Sequence, residues 1–194
     1  MSGLEWVPAS AAPHLLGLPV RVALHAWASP GTGSGSDVAG LAGRIEVAEI
    51  DPDLADTAAM TEAYGLPLEA SVNCVVVAGK REGVERIAAC ADVNRTVRAA
   101  LDVRKASFLP TDRAVELTGM EYGGITPIGL PTQWRLLVDR AAAEAEWVII
   151  GSGIRGSKLR LPGEVLAALP GAEVVDGLGL LAQPMDTIDN TLQL

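Results

Sequence analysis

Residues 119–134, GMEYGGITPIGLPTQW, crowd five glycines and prolines between Gly123 and Pro131. Such a stretch cannot be a helix interior: proline removes a donor and clashes with the preceding turn, and glycine is the costliest residue to order. It is also too apolar for a solvated linker. What remains is a buried or half-buried loop of the kind that presents main-chain atoms to something.

Composition sets the frame around that loop. The 194 residues are 49% hydrophobic and 20% charged, enough apolar surface for one folded domain and too much for intrinsic disorder. Two cysteines exclude a disulfide scaffold. No apolar run approaches the roughly 20 residues of a membrane helix, and no basic region precedes an apolar run at the N-terminus. A soluble, cytoplasmic protein with no membrane association is expected.

The net charge of −9 argues against a nucleic-acid partner until its distribution is considered. Residues 1–79 carry nine acids and two bases, residues 161–194 five acids and no base, and residues 80–160 thirteen bases against ten acids. The basic middle fits either a small phosphate-contacting face or an ordinary mixed-charge surface. Seven aromatic residues are too few and too scattered for a base-stacking platform of the single-strand-binding type.

Along the chain, Val20, Ala23, Leu24 and Trp27 share one face of a helix over 19–28, with His25 on another side. Residues 29–40 read as a flexible loop, 44–50 as a strand and 51–65 as a helix closed by Gly65. Strands over 72–79 and 83–91 flank a turn at Gly79–Gly83. Their pairing is expected to bring Cys74 and Cys90 near register on one face, as reduced thiols. Asn94 caps a helix over 95–102, with Arg95 and Arg98 on one face. Residues 104–109 form a strand, and Thr111 caps a helix ending at Gly119. The spacing then predicts a helix over 136–145, strands at 146–153 and 157–161, a helix over 161–171 opened by Pro162, and a last strand from Ala172.

Catalytic machinery of the usual kinds is missing from the sequence: no H-E-x-x-H, no Cys/His cluster, no P-loop and no G-x-S-x-G. With His14 and His25 the only histidines, a metal site is not expected. Two glycine-rich segments remain, Gly123–Pro127 and Gly151–Lys158. Their N–H groups can approach a ligand closely and stabilise an oxyanion without an ionisable catalyst, or the segments are plain structural turns.

Taken together, ELTGMEYGGITPIGL (116–130) and VIIGSGIRGSKLRLPGEVL (148–166) resemble the YbaK/prolyl-tRNA-editing domain family. The helix from Thr57 to Gly65, the hairpin after it and the strand after Arg104 follow the same order, so the resemblance covers about residues 45–176. It leaves 1–44 as an N-terminal helical extension and 177–194 as a tail. It implies a single α/β domain with a curved, mixed sheet. It also implies hydrolysis of the ester joining a wrong amino acid to the 3′ end of a tRNA, most often tRNA for proline. The implied catalyst is the loop Gly123, Gly124, Ile125 and Pro127, which supplies main-chain amides that Pro127 stiffens into place, with no metal and no cofactor. Where the family usually has a lysine at the start of the hairpin, this chain has Asn73, and Lys158 is the candidate to restore the cation. Thr118, Gly119, Gly151, Ser152, Gly153, Arg155, Arg95 and Arg98 are implied substrate contacts, with Arg104 and Lys105 further candidates for phosphate. The implied partner is tRNA, with an aminoacyl-tRNA synthetase as a second candidate. Two other readings stay open: a binding module that lost the chemistry, and an esterase or amidase for small aminoacyl conjugates.

Overall fold

The computed structural model describes residues 3–28, 40, 42–91 and 101–178. The expected loop at 29–40 (Gly40 apart), the Asn94 cap with most of its helix, and the tail from 179 on lie outside these residues.

Among the described residues, nine strands form two sheets. One is antiparallel, in the order β1 (Val7–Pro8), β2 (Glu46–Glu49), β8 (Ser157–Leu161), β7 (Val148–Gly151). The other is mixed, in the order β5 (Ala106–Phe108), β3 (Cys74–Arg81), β4 (Val84–Ala91), β6 (Arg135–Asp139), β9 (Ala172–Val175). In it β5, β3 and β4 run antiparallel, while β4–β6 and β6–β9 are parallel. Among the described residues, helices α1 (Leu18–Ala28), α2 (Thr57–Tyr64), α3 (Thr111–Thr118), α4 (Arg140–Ala143) and α5 (Gly163–Ala167) accompany these sheets in an α/β domain. The α/β class stands, with the strands divided between two sheets rather than curved into one.

One apolar core joins the sheets. Val47, Val148, Ile150, Leu159 and Leu161 from the first sheet meet Ala89, Leu136 and Val138 from the second, covered by Val20 and Trp27 of α1 and by Val165 and Leu166 of α5. Each such large side chain stabilises the fold by roughly 1.5–3 kcal/mol relative to exposure. The N-terminal segment belongs to this core, because Ala9, Ala12 and Leu16 are buried in it. It is tied down by hydrogen bonds from Ala9 N to Ile45 O (2.9 Å) and Gly17 N to Ser152 O (2.9 Å).

The predicted helix over 136–145 is corrected by the structure. Residues 135–139 are strand β6, and only Arg140–Ala143 is helical, capped by the Asp139 carboxylate on Ala141 N (2.8 Å). The physical reason is double burial: Leu136 and Val138 enter the main core while Leu137 joins Val77, Ala88, Leu101 and Leu178 on the other face of the sheet. A parallel central strand reads as a continuous apolar run, which periodicity cannot separate from a buried helix.

Three smaller corrections follow the same logic. The helix over 51–65 begins later, at Thr57: Asp51 caps a single 3₁₀ turn, Pro52–Leu54, and Asp56 caps α2 through Ala58 N. Thr111 is the first residue of α3 rather than its cap, since Pro110 holds that place without a side-chain bond. The hairpin turn is only Glu82-Gly83, both at positive φ (53° and 79°), the two-residue geometry that matches strand twist. That register sets Cys90 opposite Val75 and Cys74 opposite Ala91, so the cysteines are one position out of step.

Candidate functional site

The two glycine-rich segments form one unit. Glu121 N donates to Gly153 O (3.0 Å), Gly153 N to Gly124 O (2.8 Å), and Arg155 N to the Glu121 carboxylate (2.7 Å). Cβ atoms would not fit between them. One on Gly124 would lie 2.4 Å from Ile154 O, one on Gly151 2.3 Å from Gly124 O, and one on Gly17 2.7 Å from the Gly153 backbone. The glycines at 124, 151 and 153 therefore serve main-chain packing.

Beside this unit lies a cavity of about 570 Å³ at the junction of α2, the start of β3, the end of β5 and the middle of β7 and β8. Lys158 reaches it from the centre of the first sheet. Its strand neighbours Leu159 and Leu161 enter the core, so alternation sends Lys158 to the opposite face, where it is 7% exposed. Its Nζ donates to Ala55 O (3.0 Å) and Gly123 O (3.2 Å). An ammonium has three donors, so one remains for the cavity. Burial holds the Lys158 pKa below the ordinary lysine value; the nearby Arg155 charge adds to that shift and Asp56 opposes it.

Asn73, just before β3, lines the same cavity, and its Oδ1 accepts from Thr57 Oγ1 (2.8 Å) at the start of α2. Gly123 and Ile125 also line it. Among the described residues their N–H groups donate to no protein acceptor, whereas the Gly124 amide is taken by Glu121 O (3.0 Å). Arg155 closes one side, its guanidinium 6.0 Å from the Tyr122 ring centroid.

Of the expected site residues, the cavity thus gathers Asn73, Gly123, Ile125, Gly151, Arg155 and Lys158. Gly124, Pro127, Thr118, Gly119, Ser152 and Gly153 do not line it. Thr118 Oγ1 donates to Ala114 O (2.7 Å) and accepts from Met120 N, finishing α3, and Gly119 is its left-handed cap. Ser152 is fully buried, its hydroxyl 2.6 Å from that of Ser157. These are supports of the site. Arg95 and Arg98 lie outside the described residues. Sequence reasoning passed over Thr57, Phe108 and Tyr122, although two exposed aromatics in so aromatic-poor a chain were a usable signal.

The model of the aminoacyl-tRNA editing domain family matches residues 51–169, well over half of the chain. The chain belongs to that family. Solved structures resemble this editing domain in fold: the hypothetical protein APE2540 (TM-score 0.59, 21% identity, covering 67% of this chain and 88% of that one), and a proposed trans-editing enzyme for prolyl tRNA synthetase (TM-score 0.58, 21% identity, covering 75% and 96%). A scaffold protein used for epitope grafting is equally similar (TM-score 0.58, 21% identity, covering 77% and 99%). The family match spans α2, both sides of the cavity and the two glycine-rich segments, so every cavity residue named above belongs to the editing domain proper. Among its described residues no three of His, Cys, Asp and Glu gather as a metal donor set, and no helix is long and apolar enough to cross a membrane.

Proposed function

We propose that the protein acts in trans as an aminoacyl-tRNA deacylase, hydrolysing the ester between a wrong amino acid and the tRNA 3′ end. The observation that carries this reading is the buried Lys158 ammonium, bonded to the Gly123 carbonyl in the cavity that Asn73 and Ile125 also line, with no protein acceptor for the Gly123 and Ile125 amides among the described residues.

In this reading the acyl carbonyl lies against the Gly123 and Ile125 N–H groups, which match the negative charge that develops on its oxygen. The third Lys158 donor adds a fixed positive charge in a poorly solvated site, where it counts for more than in water. Asn73, held by Thr57, offers its amide N–H groups to the terminal ribose. Water adds to the carbonyl carbon, the bond to the ribose oxygen breaks, and that oxygen leaves with a proton, giving free amino acid and tRNA. The neighbouring ribose hydroxyl orients the water, as the family resemblance implies. Met60, Val76, Leu109, Ala114 and Ile150 supply an apolar wall for the amino-acid side chain. Activity in trans and tRNA for proline are the first choices, since one protein of the same fold is described as a trans-editing enzyme for prolyl tRNA synthetase. A cytoplasmic location follows from that role.

The test is deacylation of a panel of mischarged tRNAs, beginning with prolyl acceptors carrying Ala or Cys. Ester loss that depends on the tRNA and falls in Lys158→Ala supports the proposal. Binding without turnover across the panel, or equal turnover of minimal esters, overturns it. An unaffected Lys158→Ala removes Lys158 from the site.

A further inference from the structure

Ion pairing distributes the positive charge of this protein unevenly. Among the described residues, Arg44, Arg81, Arg86, Arg113, Arg135, Arg140 and Arg160 are each paired with a carboxylate. The described bases without an ion pair are Arg21, Lys80, Arg104, Lys105, Arg155 and Lys158. Arg155 and Lys158 line the cavity already described. Lys80, Arg104 and Lys105 line a second, more open groove of about 540 Å³. The two depressions share Phe108 and Leu109 as a common wall.

The groove follows β5, the edge strand of the mixed sheet, between the tip of the hairpin and the start of α3. Its single acid, Glu85, is held by Arg113 through two hydrogen bonds (2.7 and 2.5 Å). Those two charges cancel, and the three remaining side chains are all cationic. Phe108 stands 61% exposed on the shared wall, and Tyr122, 64% exposed, sits on the cavity itself. No other aromatic is among the large exposed apolar side chains of the described residues. In a chain of net charge −9, unpaired cations and exposed rings thus meet along one continuous path.

We infer that this groove binds the ribose-phosphate strand leading to the aminoacylated 3′ end. Phosphates lie on Lys80, Arg104 and Lys105, and a base stacks on Phe108 as the strand turns into the cavity. Phosphate contacts of this kind position a nucleic acid without reading its sequence, and an aromatic face stacks any base. This inference rests on the deacylase reading only for the identity of the strand.

The experiment measures binding of uncharged tRNA by fluorescence anisotropy across salt concentrations, for the wild type and for Lys80→Gln/Arg104→Gln/Lys105→Gln. Losing three single-strand phosphate contacts lowers the slope of log affinity against log salt by about 2, and weakens binding about hundredfold at 0.1 M salt. All three side chains sit on the surface, and the single variants Arg104→Gln and Lys105→Gln should each remove about 0.7 of slope, which keeps the test valid if the triple variant folds poorly. Phe108→Ala should weaken binding roughly five- to hundredfold with the slope unchanged. Hydrolysis of a minimal aminoacyl-adenosine ester should be the same in the charge variants as in the wild type. A wild-type salt slope in the triple variant overturns the inference. So does displacement of the tRNA by polyglutamate at equal charge, which would mark the groove as a site for an acidic protein. Groove-dependent tRNA binding without ester hydrolysis by the wild type would sink the deacylase reading alone, because uncharged tRNA carries no ester.

Discussion

Thr57 holds Asn73: its hydroxyl donates to the Asn73 carboxamide oxygen across 2.8 Å, linking the first turn of α2 to the residue before β3. That bond fixes which end of the carboxamide is the oxygen, and the two amide N–H donors of Asn73 are left for a ligand. Thr57→Val should raise KM for mischarged tRNA about fivefold, the worth of a hydrogen bond of about 1 kcal/mol, and leave kcat nearly unchanged. Thr57→Ser should restore the wild-type KM. An unchanged KM in Thr57→Val would show that this bond orients nothing of consequence.

Lys158 couples activity to stability with opposite signs. Its folded-state pKa lies below that of the unfolded chain, chiefly through burial. Between those two values the unfolded chain binds more protons, so stability rises with pH there. Below the folded value both states are protonated and the full cost of the buried charge is present. Lys158→Met should therefore match or exceed the wild type in urea stability at pH 7. Its advantage should shrink as pH climbs toward 10.5, the ordinary lysine value. The same variant should lose about 10²–10³ in kcat, as when a donor to a developing oxyanion is removed. Wild-type turnover, expressed over spontaneous ester loss, should decline as pH passes through the lowered Lys158 pKa. A Lys158→Met protein less stable at pH 7 than at pH 10, relative to the wild type, would contradict this.

Gly124 and Gly151 pack backbone on backbone, so alanine at either position should cost at least 3 kcal/mol in denaturant titration, beyond the usual range for overpacking a core. Gly123→Ala should cost less, about 1–2 kcal/mol for its positive φ of 82°. There the one close approach of the new methyl is to the movable Arg155 guanidinium, 2.8 Å away, and Ala55 Cβ at 3.6 Å is an ordinary contact. The loss in Gly123→Ala should appear mainly in KM as Arg155 is pushed aside. Equal destabilisation at the three positions would refute the packing argument.

Thr126 is fully buried, and its hydroxyl has no hydrogen-bond partner among the described residues. Burying an unpaired hydroxyl costs about 1–3 kcal/mol, and valine keeps the shape without the cost. Thr126→Val should raise the thermal midpoint by about 2–4 °C per kcal/mol recovered. A lower midpoint would mean that the hydroxyl is satisfied in solution.

Much of the site's scaffold was legible because its signals are local. Gly65 ends α2 and Gly119 ends α3 in left-handed caps, as their positions after helical segments foretell. The Val20, Ala23, Leu24, Trp27 face of α1 is the face that packs on the core. What misled was β6, whose apolar run serves two cores at once, and the cysteine register, which hangs on whether the hairpin turn has two residues or five. Neither is decided by nearest neighbours in the chain.

By itself the sequence determined the helix caps, the α/β alternation and the two rigid glycine segments, since each follows from steric and hydrogen-bonding preferences over a few residues. Only the tertiary structure decided what those segments do. Gly124 and Gly151 face each other, Gly123 and Ile125 line a cavity with their amides bonded to no protein acceptor among the described residues, and Lys158 and Asn73 line the same cavity from different sheets. The reason is that close approach between distant segments is a property of how the two sheets pack around their shared core, and no local pattern of residue types encodes that distance.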